Sequence, residues 1–254
     1  MSAGKKYEWK PIANMGTARV FASVVHADDL IYVVGGCDRL GEPVNTVQTY
    51  APSTDTWSTL PPMPTKRAAP IVAVFAGRLV AIGGVGSTQA PVDAVEIFDV
   101  ANSKWLRLTP LSEPLMGMAH VVRESRIDLF GGMGVDTNPR DHHKSFVLDS
   151  DGGERWKASP AMPTARYAAA AFHRDGKIYV VGGRQGKLPV DAFEVYTVAS
   201  RQWTAYPRVP TKRVFCSYVI AGERLVTLGG LKQTAQQGFS GACEWFALTE
   251  GDIG

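Results

Sequence analysis

The sequence predicts an all-β fold, a β-propeller of five blades, and three observations carry that expectation. Diglycines stand at Gly35-Gly36, Gly83-Gly84, Gly131-Gly132, Gly182-Gly183 and Gly229-Gly230, at intervals of 48, 48, 51 and 47 residues. Trp9, Trp57, Trp105, Trp156 and Trp203 keep the same series of intervals, so each tryptophan holds a nearly fixed offset from the diglycine that follows it. A period of this length marks a repeat architecture. The 26 Gly and 16 Pro are spread along the chain rather than clustered, as expected of many short elements joined by turns.

Each period reads as four short strands. In the fourth, Arg166 to Phe172 is an apolar run, Lys177 to Val181 (KIYVV) is a buried type of strand, Phe193 to Thr197 (FEVYT) alternates, and Arg201 to Ala205 (RQWTA) carries the tryptophan. Asp175-Gly176 is a hairpin signal between the first two, because glycine takes positive φ without steric cost. Pro160 to Pro163 ends the pairing, since proline donates no ladder hydrogen bond. A four-stranded sheet cannot cover both its faces alone, whereas sheets set radially around an axis bury each other. The chain 1–254 therefore reads as a single domain with repeats at about 14–61, 62–110, 111–160, 161–207 and 208–248. Residues 7–13 (YEWKPIA) resemble a lone fourth strand and the last repeat supplies only three. The expected closure pairs this N-terminal strand with the C-terminal repeat, leaving no exposed edge.

Composition bounds the function classes. A net charge of +3, from 27 Lys+Arg against 24 Asp+Glu, is too small a surplus to point to nucleic acid or a membrane surface. No window approaches a membrane-spanning run, and no secretory stretch opens the chain. Cys37, Cys216 and Cys243 are odd in number and lack C-x-x-C spacing, which favours free thiols in a reducing compartment. A cytoplasmic monomer is the expectation.

IYVVGG at Ile31 to Gly36 and Ile178 to Gly183, then VEIFD (Val95 to Asp99) or FEVY (Phe193 to Tyr196), then Trp, then PPMPTKR (Pro61 to Arg67) or PAMPTAR (Pro160 to Arg166), resemble the kelch repeat over residues 7 to 248. The stretch Asp175 to Tyr196 and the phrase FALTEGDIG (Phe246 to Gly254) are more narrowly similar to the kelch domain-containing protein 8 family. That resemblance implies an intracellular protein built almost wholly of kelch repeats. It also implies seven repeats, where five are counted here.

Arg19, Arg67, Arg166 and Arg213 recur where the linker enters the first strand. They read either as structural arginines holding backbone carbonyls between blades or as a basic rim. In kelch propellers that bind peptides, the resemblance implies that residues entering the first strand and residues after the diglycine line one mouth. The partner-binding candidates are then Arg19, Phe21, Arg39, Arg67, Arg166, Tyr167, Arg184, Lys187, Arg213 and Phe215, a mixture of cations and aromatics suited to an acidic peptide with an apolar anchor. The diglycines lack the G-x-G-x-x-G spacing and following helix of a nucleotide loop, and neither cofactor nor metal is expected. The third repeat differs, with Leu115 in place of the arginine and an insertion, Gly134 to Lys144, whose His142-His143 reads as a surface loop pair. His26 and His173 read as solvent-facing equivalents in strand-to-strand turns. Nothing resembles a nucleophile with its base, so the expected function is protein or peptide binding, as an adaptor or scaffold, and not catalysis. The alternative, implied by a more distant resemblance to sugar-processing and copper-oxidase propellers, is a small enzyme using the funnel, for which Asp38, Glu42, Asp136 and Asp141 are the acids in mouth loops.

Overall fold

The computed structural model describes residues 9–75, 77–99, 102–124, 126–148, 153–232 and 238–248. The first blade is β1 (Ser23–Ala27), β2 (Leu30–Val34), β3 (Val47–Ala51) and β4 (Thr56–Leu60), and the second is β5 (Ile71–Phe75), β6 (Arg78–Ile82), β7 (Val95–Asp99) and β8 (Lys104–Arg107). The third is β9 (Ala119–Arg123), β10 (Arg126–Phe130), β11 (His143–Leu148) and β12 (Glu154–Ala158). The fourth is β13 (Ala170–Arg174), β14 (Lys177–Val181), β17 (Phe193–Thr197) and β18 (Gln202–Tyr206), with the short hairpin β15 (Arg184–Gln185) and β16 (Leu188–Pro189) between its second and third strands. The fifth is β19 (Ser217–Ala221), β20 (Arg224–Leu228) and β23 (Cys243–Ala247), with the matching hairpin β21 (Leu231–Lys232) and β22 (Gly238–Phe239). Strands pair antiparallel in sequence order within every blade. The all-β, five-bladed propeller is as the repeats predict.

The second strands explain the buried runs in the sequence. Packed between two neighbouring sheets, β6 and β14 are buried at four successive positions, so both faces must be apolar. Four apolar clusters join first blade to second, second to third, third to fourth and fourth to fifth. The tryptophans tie successive blades at the outside: the indole N–H of Trp57, Trp105, Trp156 and Trp203 donates to the carbonyl of Ala13, Pro61, Thr109 and Pro160 respectively, at 2.7–3.0 Å. The hairpin read at Asp175-Gly176 has positive φ at both residues, the signature of a type I′ turn. The first strand of that repeat starts at Ala170, later than the apolar run suggests, because Arg166 and Ala168 bond the blade before it and Tyr167 pairs with Arg184 instead of extending β13.

That junction is a clamp made at the first-to-second and third-to-fourth blade boundaries. The amide of the second glycine in Gly35-Gly36 and in Gly131-Gly132 donates to the carbonyl of Arg67 or Arg166, the arginine entering the next blade, at 3.0 Å. The first glycine permits the approach: a Cβ on Gly35 would lie 2.4 Å from the Arg67 oxygen, and one on Gly131 2.0 Å from that of Arg166. The arginine side chain then turns into its own blade. Arg67 bonds the carbonyls of Gly83 and Ala94 and the carboxylate of Glu96, whose other oxygen accepts from Thr65. Arg166 with Glu194 and Thr164, and Arg213 with Glu244 and Thr211, repeat the arrangement. Burial opposes the charge on Arg67 and Arg166, and the facing carboxylates counter it.

The predicted closure is corrected. Residues 7 and 8 lie outside the described residues, and 9–13 form no ladder with β23; Trp9 is fully exposed. Pro11 has no N–H to give, and the Ala13 amide and carbonyl are already held by Asp55 and Trp57 of the first blade. Among the described residues the fifth blade therefore has three strands, and no apolar cluster joins it to the first. Val24, in the register that Val72 fills in the second blade, is exposed. Val219 and Trp245 are exposed on the outer face of the fifth, the indole partly covered by the Arg224 guanidinium at 4.2 Å.

The third blade carries a buried polar pair, Asp128 and Ser145, where the second has Val80 and Ile97. Asp128 accepts from Arg123 Nε at 2.6 Å and from Ser145, with His143 Nε2 3.6 Å away. Burial pushes its carboxyl up, yet contacts from His143, Arg123 and Ser145 prevail and hold it at about 2. His143 is thus not a surface residue; it is buried at the start of β11 between the rings of Phe130 and Tyr196.

Glu96→Ala strands the Arg67 charge in the core and is expected to lower unfolding free energy by about 3–5 kcal/mol, whereas the double change Arg67→Met with Glu96→Leu should recover most of it, both read by urea denaturation. Because the folded-state value of Asp128 lies below its ordinary one, its carboxylate stabilises the fold above about pH 4, and that contribution fades as pH falls toward 2. Denaturation of Asp128→Asn against the parent should show a gap of about 2 kcal/mol at neutral pH that narrows across that window.

Candidate functional site

All second strands end on their diglycine at one end of the molecule, and that end forms a mouth. After each diglycine one residue bridges back to the segment entering the first strand: Cys37 to Val20, Val85 to Ala68, Met133 to Met116, Arg184 to Tyr167 and Leu231 to Val214. The next residue of that segment has positive φ in all five blades: Phe21 at 55°, Ala69 at 45°, Gly117 at 64°, Ala168 at 53° and Phe215 at 57°. All are exposed, and the amides of Ala69 and Ala168 bond the carbonyls of Phe21 and Gly117 across blade boundaries. A left-handed conformation at a bulky residue costs about 1–3 kcal/mol and persists only where the surroundings impose it. Here the bridges on either side impose it, and the result turns the rings of Phe21 and Phe215 outward, 70% and 68% exposed.

The candidate residues divide sharply. Arg67, Arg166 and Arg213 are buried against the glutamate and carbonyls of their own blades, so they belong to the structural reading and are not part of a basic rim. Arg19 is half-buried and donates to the Val33 carbonyl at 3.1 Å; Gln48 stands where its carboxylate partner would be, and burial lowers the Arg19 pKa. Phe21, Arg39, Tyr167, Arg184, Lys187 and Phe215 do reach the surface of the mouth. Three of them converge: the Arg184 guanidinium lies 5.6 Å from the ring centre of Tyr167 and 5.2 Å from that of Phe215. The Tyr167 hydroxyl donates to the Gly186 carbonyl at 2.6 Å, which fixes the ring against the β15–β16 hairpin. Lys187 and Leu188 stand exposed at the tip of that hairpin, with Phe239 on the matching hairpin and Leu40 and Val135 on the loops of the first and third blades.

Sequence reading missed the acidic partners Glu96, Glu194 and Glu244. They follow their arginines by 29, 28 and 31 residues, a recurrence that could have paired them. It also missed the apolar loop tips, which no period marks.

The funnel below the mouth holds a cavity of about 360 Å³ lined by residues including Ser23, Val24, Ile71, Met118 and His120. Burial lowers the pKa of His120, and the lining contains no carboxylate. The loop acids are engaged locally: Asp38 accepts from the amides of Leu40 and Glu42, and Asp136 from Asn138 while facing Arg140 at 3.1 Å. His142 faces Glu113 at 3.4 Å, and among the described residues no three His, Cys, Asp or Glu side chains gather as a metal site. His26 and His173 are exposed equivalents as expected, placed in β1 and β13 rather than in turns.

The Kelch motif model matches residues 18–64, 67–112 and 165–210, more than half of the chain. The chain belongs to the kelch family. Human kelch domain-containing protein 8B is 43% identical over 56 residues, 22% of this kelch chain and 16% of the relative. Mouse kelch-like protein 40 is 34% identical over 88 residues, 35% of this chain and 14% of the relative. The kelch chain thus matches less than a fifth of the length of either relative. The solved structure of YjhT superposes with a TM-score of 0.79 at 16% identity, covering 98% of this chain and 87% of that one, which is a likeness of fold. Leu115 breaks the kelch pattern in the third blade, and that blade is not among the matched segments.

Proposed function

We propose that this kelch propeller is a protein-interaction module that receives a peptide or protein segment at its mouth, the preferred segment carrying an acidic residue beside an apolar one. The observation that carries the reading is the Tyr167, Arg184 and Phe215 cluster. No carboxylate is paired with Arg184 among the described residues, and its guanidinium lies near two aromatic rings in a partly desolvated position. Stacked arginine offers its remaining donors to a carboxylate in a planar fork, while an exposed Phe215 supplies apolar area for the neighbouring side chain. The loop tips Leu40, Val135, Leu188 and Phe239 extend the apolar rim, and Arg39 and Lys187 add positive charge to it. Large apolar side chains left exposed around one concavity, with charge interleaved, are what an interaction surface requires. Cytoplasmic residence as a monomeric adaptor or scaffold agrees with the separate thiols and with the lack, among the described residues, of a helix long and apolar enough to cross a membrane. Small-molecule catalysis finds less support, because the funnel offers His120 and Ser23 with no acid beside them.

Panning a random peptide display library against the folded chain tests the reading. Enriched peptides should share an acidic residue near an aromatic or aliphatic one, and Arg184→Ala or Phe215→Ala should weaken them roughly tenfold or more. Both variants should keep stability within about 0.5 kcal/mol of the parent, since neither side chain is in the core. No enrichment, or enrichment indifferent to both variants, would overturn it.

A further inference from the structure

A second cavity lies at the opposite end from the mouth, between the third and fourth blades, with a volume of about 170 Å³. Its lining includes Arg123, Arg126, Lys157 and Arg201 with the hydroxyl residues Ser145 and Ser159. Four cations meet there with Asp128 as the buried acid beneath them, and that carboxylate is already used by Arg123 and Ser145. Among the described residues Arg126, Lys157 and Arg201 have no carboxylate partner, and the Arg126 Nε is buried without a hydrogen bond.

The cluster is built against the grain of the fold. Arg123 and Arg126 stand directly opposite each other across β9 and β10, where like charges repel. The Asp128 and Ser145 pair replaces the apolar Val80 and Ile97 of the second blade and the Tyr179 and Val195 of the fourth. Holding Arg123 by its Nε leaves its terminal nitrogens for the cavity. An arrangement that disrupts an apolar interblade packing layer and leaves three cations unpaired around one small concavity is completed by an anion. The volume suits a single compact group and is below the range of a whole drug-sized ligand. Forked guanidinium donors at different angles, an ammonium and a hydroxyl match a tetrahedral oxyanion better than a planar carboxylate.

From this we infer that the groove between the third and fourth blades is a phosphoryl-binding site, formed by Arg126, Lys157 and Arg201 with Arg123 and Ser159, and separate from the mouth. The group could be presented by a small phosphate compound or by a phosphorylated side chain, and the shared chemistry is the phosphate dianion.

Titration calorimetry of the full chain with inorganic phosphate, and separately with a short peptide carrying one phosphoserine and with its unphosphorylated form, tests the inference. Saturable phosphate binding that weakens roughly tenfold or more in Arg126→Ala, and falls also in Lys157→Ala and Arg201→Ala, is expected. Binding should survive in Arg184→Ala, which separates this site from the mouth. If the phosphopeptide binds tighter than inorganic phosphate and its unphosphorylated form does not bind, the source is a modified side chain; if inorganic phosphate binds as well, the source is a small compound. Lys157 and Arg201 are exposed, so their variants keep the test valid should Arg126→Ala fail to fold. Absence of saturable phosphate binding, or equal binding by the parent and the folded Lys157→Ala and Arg201→Ala variants, would overturn it.

Discussion

The clamp between a diglycine and the arginine entering the next blade is the constraint on which the molecule depends. It joins two requirements in one place. The backbone of one blade must come so close to that of the next that no Cβ fits at Gly35 or Gly131, and the arginine that supplies the carbonyl must hide its own charge. Glu96, Glu194 and Glu244 make the second requirement possible, each helped by a threonine two residues before the arginine. A buried ion pair contributes little net stability compared with an apolar packing of the same volume, so its value is in fixing where each blade starts relative to the last. The strained backbone at Ala69 and Ala168 follows directly, because those residues come two places after a clamped arginine.

Where the clamp is altered, the blade is altered with it. The first blade has Arg19 but Gln48, leaving an arginine incompletely paired. The third has Leu115 in place of the arginine and Lys144 in the register of the glutamate; its polar contacts move outward, to Glu113 with Arg140 and His142 on the rim and Lys144 with Ser112. The same blade places Asp128, Ser145 and His143 where its neighbours are apolar, so the irregular repeat is the one in which ordinary packing has been most extensively exchanged for polar contacts.

The number of blades, the strand order and the hairpin at Asp175-Gly176 were legible because each leaves a periodic or local mark in the chain. The tryptophans were legible as a beat, though not as donors to the preceding linker, since a hydrogen bond to a carbonyl about 45 residues away carries no local signal. The arginines could be read two ways because a guanidinium suits both a buried carbonyl cage and an exposed anion site; only the positions of the glutamates decide between them. His143 was misread because DHHK has the composition of a loop, whereas the register with Phe130 places it in a strand. The closing strand was inferred from the logic of a ring, and Pro11 together with the occupied backbone of Ala13 works against it. At the mouth, Arg184 and Phe215 were visible as candidates, but their convergence on Tyr167 depends on how the fourth and fifth blades lie together.

Among the described residues no apolar cluster joins the fifth blade to the first, and that gives them the mechanics of an array rather than a hoop. In a closed ring every sheet is braced on two sides and must be lost together with the others; in an open arc the end members are braced on one side only, and nearest-neighbour energetics let them open first. Amide exchange would then be graded along the chain, slowest in β6, β10 and β14 and faster toward β1 and β23. Arg184 and Phe215 belong to the fourth and fifth blades, on the boundary where such fraying begins. A segment held between them would link the loosest sheet to its more firmly held neighbour, so that occupancy of the mouth and integrity of the end of the arc would be thermodynamically linked.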